Sequence, residues 1–358
     1  MDPEHEPEGW AQSRLGRREF CLRLGTAAGL AAMAPWLSGC ARLLEWSANR
    51  QRGSEHQIQQ AIESTTTGTT AGQPGEATVA SSSTTGTTTA SAPDLAVFRG
   101  DDPERNVRAA LAALGGMERF VGKGAKVVLK PNVLTGAAPE YAATTNPDVL
   151  KAVAKLCFEA GAASVTVLDR PTSAARTAFE VSGLAKAAAE AGATVKYLAD
   201  RNFENTSIPK GRLLTAWPLV TDIFEADVFI NIPIAKTHGM AGLTMSMKNL
   251  MGIMGGTRGT IHLDFDQKIV DVNTLVRPHL VVLDAYRILT RNGPTGGNLA
   301  DVKTTKTVVV GTNQASVDAY GATLFGKSAA DLGYLVKAQE QGLGETDLRR
   351  MRVLEGQA

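Results

Sequence analysis

The stretch KVVLKPN, residues 126–132, decides the fold class. Its apolar run is short, continuous rather than alternating, and stopped by Pro-Asn, which describes a strand buried on both faces. The runs SVTVLD (164–169), TVKYLA (194–199), ADVFINIP (226–233), LVVLDA (280–285) and TVVVG (307–311) repeat the type. Between them lie helical stretches with their own start signals. Asp102-Pro103 opens a helix running to about Leu114, and Asn146-Pro147 opens a second, in which Leu150, Val153 and Cys157 keep helical spacing until Gly161. Further helices are expected over 184–191, Ala315–Phe325 and Ala329–Gln341. Strands alternating with helices predict an α/β domain, a mostly parallel sheet with helices on both faces. No G-x-G-x-x-G follows the first strand, which disfavours a nicotinamide-binding Rossmann assignment.

Composition narrows the function classes. The chain has 358 residues, 43% hydrophobic and 20% charged, with a net charge of +1. That suits an ordinary packed core and gives no concentrated basic face, so nucleic acid is not an expected partner. The three cysteines are Cys21, Cys40 and Cys157. Only Cys157 lies in the body of the chain, where it can form neither an internal disulfide nor an iron–sulfur cluster by itself. In the run AVAKLCFEAG it reads as a buried helix residue.

The N-terminus reads as an address. The segment SRLGRREFCLRL (13–24) carries Arg17-Arg18 followed by Glu19 and Phe20 and is similar to a twin-arginine export signal, although Cys21 separates Phe20 from Leu22 and Gly16 stands where Ser or Thr is usual. Leu24 to Leu37 is uncharged and rich in Ala and Gly. As a helix it would span roughly 21 Å, short of the hydrocarbon core of about 30 Å, so it reads as a signal h-region and not a membrane span. Leu37-Ser38-Gly39-Cys40 fits a lipobox, whose cysteine is acylated after cleavage. Ser64 to Ala92 is almost all Ser, Thr, Gly and Ala, too poor in apolar surface to offset its conformational entropy, and is expected to be disordered. The expected organisation is a signal peptide over 1–39, a Ser/Thr/Gly-rich tether over 40–94 and an α/β domain over 95–358. Such a protein would be carried by the twin-arginine export machinery and held outside the cytoplasm, at the periplasm or cell surface, through a lipid anchor on Cys40.

Ligands of open parallel sheets bind beyond the carboxyl ends of the strands. Just past the predicted strands stand Lys130-Pro131-Asn132 and Asp169-Arg170, within or after the fourth stand Asn231 and Lys236-Thr237-His238, and Asp284 ends a later strand. The segment KTHGMAGLTMSMKNLMGIMGG (236–256) is the densest, joining Lys236, His238, Lys248 and Asn249 to glycines that permit close backbone approach.

The phrases VVLKPN, TNPDVL, LDRP, FINIPIAKTHGMAGLTMSMKNLMG, LDAY, NGPTGG and SVDAYGA, in this order, resemble the bacterial and archaeal family called domain of unknown function 362. The resemblance runs from about Leu95 to about Gln341 and is most specific between Asn231 and Gly252. Many members carry ferredoxin-like cysteine clusters, which this chain lacks, so no iron–sulfur cluster is expected. The resemblance implies the domain and names no activity.

Chemistry is therefore read from residue types. Lysines inside apolar runs need a counter-charge, and Lys130, Asn132, Lys248, Asn249 and Asp284 are read as binding a small anionic molecule bearing phosphate or carboxylate. Lys236 and His238 are the candidate catalytic pair for acid/base chemistry, against the blander reading of a hydrogen-bonded structural histidine. His262 and Asp264 leave a divalent metal open, although their spacing is no recognised metal motif. His279 reads as structural. Met240, Met245, Met247, Met251 and Met254 read as adaptable core packing before soft-metal ligands. Asn292 to Gly297 is either a lid, a backbone anion nest or a plain surface loop. A ligand-binding lipoprotein without chemistry and a metal-handling protein are the alternatives to an enzyme.

Overall fold

A computed structural model describes residues 92–358. The export signal with Arg17 and Arg18, the lipidation site Cys40 and all but the end of the tether lie outside the described residues. Strand β1 (Leu95–Arg99) leads to α1 (Pro103–Ala113), β2 (Lys126–Pro131), α2 (Pro147–Glu159), β3 (Ser164–Asp169), α3 (Ala175–Val181), α4 (Leu184–Glu190) and β4 (Thr194–Tyr197). Strands β5 (Phe203–Ser207) and β6 (Ala216–Val220) form a separate two-stranded sheet, bridged at Leu219 to Met254, and α5 (Asp222–Glu225) precedes β7 (Val228–Ile232). Then come β8 (Ile234–His238), β9 (Gly242–Thr244), α6 (Ser246–Asn249), α7 (Phe265–Leu275), β10 (Leu280–Leu289), β11 (Val302–Gly311), α8 (Gln314–Thr323), α9 (Gly333–Glu340) and β12 (Val353–Gln357).

The main sheet has the order β12-β1-β11-β10-β7-β2-β3-β4. The block β10-β7-β2-β3-β4 is parallel throughout, whereas β11 runs antiparallel to both β10 and β1. The chain is thus the mostly parallel α/β domain that the buried strand runs predict. Helix starts follow local chemistry. The Asp102 carboxylate accepts from the amides of Glu104 and Arg105, and Asn146 accepts from Asp148, each just before a proline that has no amide to satisfy.

Alternation along the strands separates two cores. Val127 and Leu129 of β2, Val165 and Val167 of β3, and Ile230 and Ile232 of β7 pack with α1, α2 and α4. Val128, Phe229, Val281 and Leu283 point the other way, into a core with α6 to α9 and the β5–β6 hairpin. Each such aliphatic side chain contributes about 1.5–3 kcal/mol on burial. That supports strands whose carboxyl ends carry polar groups. Cys157 is fully buried in α2, with its thiol pushed up to about 12 by burial.

Several expectations are corrected. Lys236, Thr237 and His238, expected within or after the strand that ends at Pro233, lie in a strand of their own, because the chain resumes extended pairing after Pro233: β8 continues along the far half of β10 and turns back as β9. Asp284 does not end its strand but sits within β10, which runs on to Leu289. The helix expected over Ala329–Gln341 is broken into a short 3₁₀ turn, Ala329–Asp331, and α9. The β5–β6 hairpin, α7 and β12 were not expected. Among the described residues no helix is long and apolar enough to cross a membrane.

Candidate anion site

At the carboxyl ends of β2 and β3, and beside the β8–β9 hairpin and α6, lies a cavity of about 310 Å³. Lys130, Asn132, Lys236, His238, Lys248 and Asn249 all line it. The structure therefore brings together six of the residues read from sequence as binding or catalytic, with the metal candidate His262 beside them, although more than a hundred positions separate the first from the last.

The three lysines differ in their partners. Lys130 is fully buried, and its Nζ donates to Asp169 Oδ1 at 2.7 Å, to the Pro131 carbonyl at 2.8 Å and to Asn249 Oδ1 at 3.1 Å. Its charge is already balanced, so it is a structural ion-pair partner in the cavity wall. The other Asp169 oxygen accepts from the Val133 amide at 2.7 Å. Gly252 is what lets the backbone close over this pair, since a Cβ there would lie 1.7 Å from Asp169 Oδ1 and 2.5 Å from Lys130 Nζ.

Lys236 is 1% exposed, and its Nζ donates to Asn132 Oδ1 at 3.0 Å and to the Ala143 carbonyl. Burial, then the Lys248 charge, hold this ammonium well below the ordinary lysine range. Lys248 is 7% exposed; its Nζ meets Met251 Sδ and His262 Nε2, both at 3.4 Å, and stands over the Phe265 ring. Burial, reinforced by the Arg258 charge, pushes its pKa down to about 7. Neither Lys236 nor Lys248 forms an ion pair with a carboxylate among the described residues.

An amide row accounts for how Lys236 is tolerated. Asn132 turns its oxygen to Lys236 and donates from Nδ2 to Asn249 Oδ1 at 2.9 Å. Asn249 Nδ2 donates to Asn231 Oδ1 at 2.8 Å, and Asn231 Nδ2 to Gln314 Oε1 at 2.9 Å. Gln314 Nε2 donates to Asn273 Oδ1 at 2.6 Å, and Asn273 Nδ2 to the Ile269 carbonyl at 2.7 Å. An ammonium only donates, so the lysines fix the direction of the first amides and each amide fixes the next. Every oxygen faces the lysine end, which stabilises positive charge there without supplying a carboxylate.

The histidine tautomers follow from their partners. His238 Nδ1 accepts from the amides of Met240 and Ala241 at 3.2 and 3.3 Å, which leaves the ring proton on Nε2. Burial first, then the charges of Lys248, His262 and Lys236, push His238 down to about 3. His262 Nδ1 faces the Gly259 carbonyl at 3.1 Å and so carries its proton there, turning the Nε2 lone pair to Lys248. The two rings stack 5.2 Å apart, 11° from parallel.

Two assignments do not assemble. Asp284 does not line the cavity; its oxygens accept from the amides of Asn146 at 2.7 Å and Tyr286 at 3.0 Å, and burial raises it to about 6 against those bonds. It fixes the start of α2. Asp264 is exposed and pairs loosely with Lys268 at 3.7 Å, away from the His262 lone pair that faces Lys248. Among the described residues no group of three His, Cys, Asp or Glu side chains is disposed to hold a metal ion. His279 has the structural role expected, its Nδ1 accepting from the Phe229 amide. Met245, Met247, Met251 and Met254 are core residues, while Met240 is exposed.

Sequence reasoning missed Arg258, which lines the cavity, is in no ion pair among the described residues, and donates to the Met251 carbonyl at 3.1 Å. Its position in GGTRGT, directly after the dense segment, is the signal that could have found it. The cavity is closed on another side by Pro294 and Thr295 of the Asn292–Gly297 turn. That turn is tied to β8, where Gly293 N donates to Thr237 Oγ1 and a Cβ would lie 1.9 Å from the Thr237 carbonyl oxygen.

Comparison with known proteins places this site in context. A thylakoid-associated protein of Synechocystis sp. is 32% identical over 211 residues, covering 55% of this chain and 63% of its own. The chain thus spans less than two thirds of that relative. Among solved structures, a protein of Thermotoga maritima matches with a TM-score of 0.37 at 14% identity, over 52% of this chain and 51% of its own. The lactate racemase apoprotein of Thermoanaerobacterium thermosaccharolyticum matches with a TM-score of 0.40 at 13% identity, over 63% and 55%. The family described as Domain of unknown function (DUF362) matches residues 127–323, which span every strand end that contributes to the cavity, and the chain belongs to that family.

Proposed function

We propose that the domain binds a small anionic molecule, bearing phosphate or carboxylate, in the cavity between Lys236, Lys248 and His238. The observation that carries the reading is the burial of Lys236 and Lys248 without a carboxylate partner. Of the charged residues around the cavity, Lys130, Arg170, Lys236, Lys248 and Arg258 are basic and only Asp169 is acidic, and Asp169 is already held by Lys130. Buried unpaired cations are costly, and an arriving anion would relieve that cost while gaining charge-assisted hydrogen bonds.

Acid/base chemistry, if the bound molecule reacts, falls to Lys248 rather than to His238. With its pKa near 7 before an anion arrives, Lys248 can take up a proton at neutral pH on binding and then act as the acid, with the His262 lone pair beside it. His238, held near 3, stays neutral and offers Nε2–H as a hydrogen-bond donor. Lys236, whose hold on its proton burial weakens, offers Nζ as a hydrogen-bond donor and is returned towards its ordinary charged range by an anion beside it. The metal-handling alternative has no third ligand to support it among the described residues.

The same reading takes the domain to be exported by the twin-arginine route and tethered to a membrane through Cys40. Arg17-Arg18, the uncharged stretch after them and the Leu-Ser-Gly-Cys run support it, and the thylakoid association of the Synechocystis relative is in keeping with work at a membrane.

Calorimetric titration with inorganic phosphate and with acetate tests the binding. Lys236→Met and Lys248→Met, which keep the aliphatic bulk, should each weaken it by about 1.5–3 kcal/mol, the worth of one charge-assisted hydrogen bond. Wild-type protein that binds neither anion, or variants that bind as well as wild type, would refute the reading.

A further inference from the structure

The cavity does not end at its own mouth. A shallow, open depression of about 460 Å³ adjoins it, with Arg170, Thr172, Arg258 and Gly259 on its border. Arg170, Thr172, Arg258 and Gly259 line both, so the two compartments share a wall. The outer one is bordered by two arginines and by no carboxylate.

These arginines are not equivalent. Arg170 is spent on structure: Nη1 donates to the carbonyls of Met254 and Gly256, Nη2 faces Asp200 at 3.7 Å, and the guanidinium lies over Phe203. Arg258 has one recorded hydrogen bond, from Nη1 to the Met251 carbonyl, and no ion pair among the described residues. Arg258 lines both the inner cavity, where Lys236 and Lys248 lack counter-charge, and the open outer depression. Leu134, Met251 and Pro294 supply apolar wall to the inner compartment. Positive charge at two levels, with an apolar stretch beside it, matches a ligand charged at both ends and uncharged between.

Building on the anion-binding reading, we infer that the ligand is a small dianion, with one anionic group held by Lys236 and Lys248 inside and a second held by Arg258 at the mouth. A dicarboxylate or a phosphorylated carboxylate has this chemistry. Guanidinium at the mouth suits the outer group, because its fork of donors grips a carboxylate or phosphate through two bonds while that group stays partly hydrated. Ammonium groups inside suit the inner one, since a point charge tolerates either geometry.

The test compares dicarboxylates from malonate to adipate with the monocarboxylates of equal chain length, by titration calorimetry on the folded protein. At least one dicarboxylate should bind about tenfold or more tightly than its monocarboxylate partner, the gain of one charge-assisted contact. Arg258→Gln should bring each dicarboxylate down to the affinity of the monocarboxylate of equal length measured on the same variant, and Arg258→Lys should restore part of the difference. Circular dichroism on each variant identifies any loss of fold, and the Lys variant keeps the test open if the Gln variant unfolds. Equal affinities throughout the series, or a preference that survives Arg258→Gln, overturn the two-ended ligand while leaving single-anion binding intact. Binding of neither class by wild type, or undiminished binding by Lys248→Met, overturns both.

Discussion

Ligand binding at this site should be accompanied by proton uptake at Lys248. In the empty site Lys248 titrates near 7 in place of its ordinary 10.5, because it is buried beside Arg258 with no counter-charge. An anion against its ammonium removes the cause of that depression and returns the pKa towards 10.5. At pH 8 the free lysine is about one-tenth protonated and the bound lysine almost fully, so binding should take up about 0.9 proton at this residue. At pH 6 the free lysine is already about nine-tenths protonated, and the uptake should fall to about 0.1. Sulfate is the probe of choice, because its own charge does not change across this range. Titrations in buffers of different ionisation enthalpy report the uptake, and subtracting the value for Lys248→Met removes what Lys236 contributes. Stability carries the same signature. Between about pH 7 and 10.5 the unfolded lysine holds a proton that the folded one has lost, so stability rises with pH there. The slope is at most about 1.4 kcal/mol per pH unit, the full penalty applies below pH 7, and Lys248→Met should lack this component. Equal uptake at pH 6 and pH 8, or a Lys248→Met variant that takes up as many protons as wild type, would refute the assignment of Lys248 as an unpaired buried amine.

Other perturbations address the supporting structure and the address segment. Asp169→Asn strands the buried Lys130 ammonium and should cost about 3–5 kcal/mol in urea unfolding, much of it recovered in the Lys130→Met/Asp169→Leu double variant; a cost below about 1 kcal/mol would mean the pair is not buried as described. Gly252→Ala drives a methyl into the same ion pair and should lose at least about 2 kcal/mol together with anion affinity, and a variant as stable as wild type would contradict the close approach. Cys40→Ala should move the protein from the membrane fraction to soluble or unprocessed forms, and replacing Arg17 and Arg18 by lysine should retain the precursor in the cytoplasm. Unchanged fractionation in either case would count against the address read from those residues.

How much was legible depended on whether a signal is local. Strands covered on both faces show as unbroken apolar runs, so β2, β3, β7, the first part of β10 and the second half of β11 stood out, as did helices with a polar cap and a proline after it. Strand β8 escaped because Ile234, Lys236 and His238 alternate with other residues after a proline, and the polar FENTS of β5 has no apolar run at all. Lys130, Lys236, Lys248 and the asparagines were found because polar residues within apolar runs must be satisfied somewhere. Which of the lysines already had a partner was not legible. Lys130 meets Asp169 only because β2 and β3 are parallel neighbours with their ends level, a fact of register rather than of spacing. Asp284 misled for the same reason, since nothing local says that its oxygens are spent on the start of α2. Arg258 and the Pro294-Thr295 wall depend on how loops fold back over the strand ends, which no periodicity records.

The row of amides from Asn132 to Asn273 has a consequence for how the domain can vary and age. Its direction is set at one end by a group that cannot accept a hydrogen bond, so no amide in it can flip alone without opposing its neighbours donor to donor or oxygen to oxygen. The row is inherited as a block. An Asn→Asp change at any position, whether by mutation or by slow deamidation, removes a donor in the middle and adds a negative charge. At Asn249 that charge would arise 3.1 Å from Lys130 Nζ and compete with Asp169 for it. Loss of a single amide nitrogen deep beneath the cavity would therefore be felt at its wall as a changed balance of charge, long before any side chain that touches a ligand had altered.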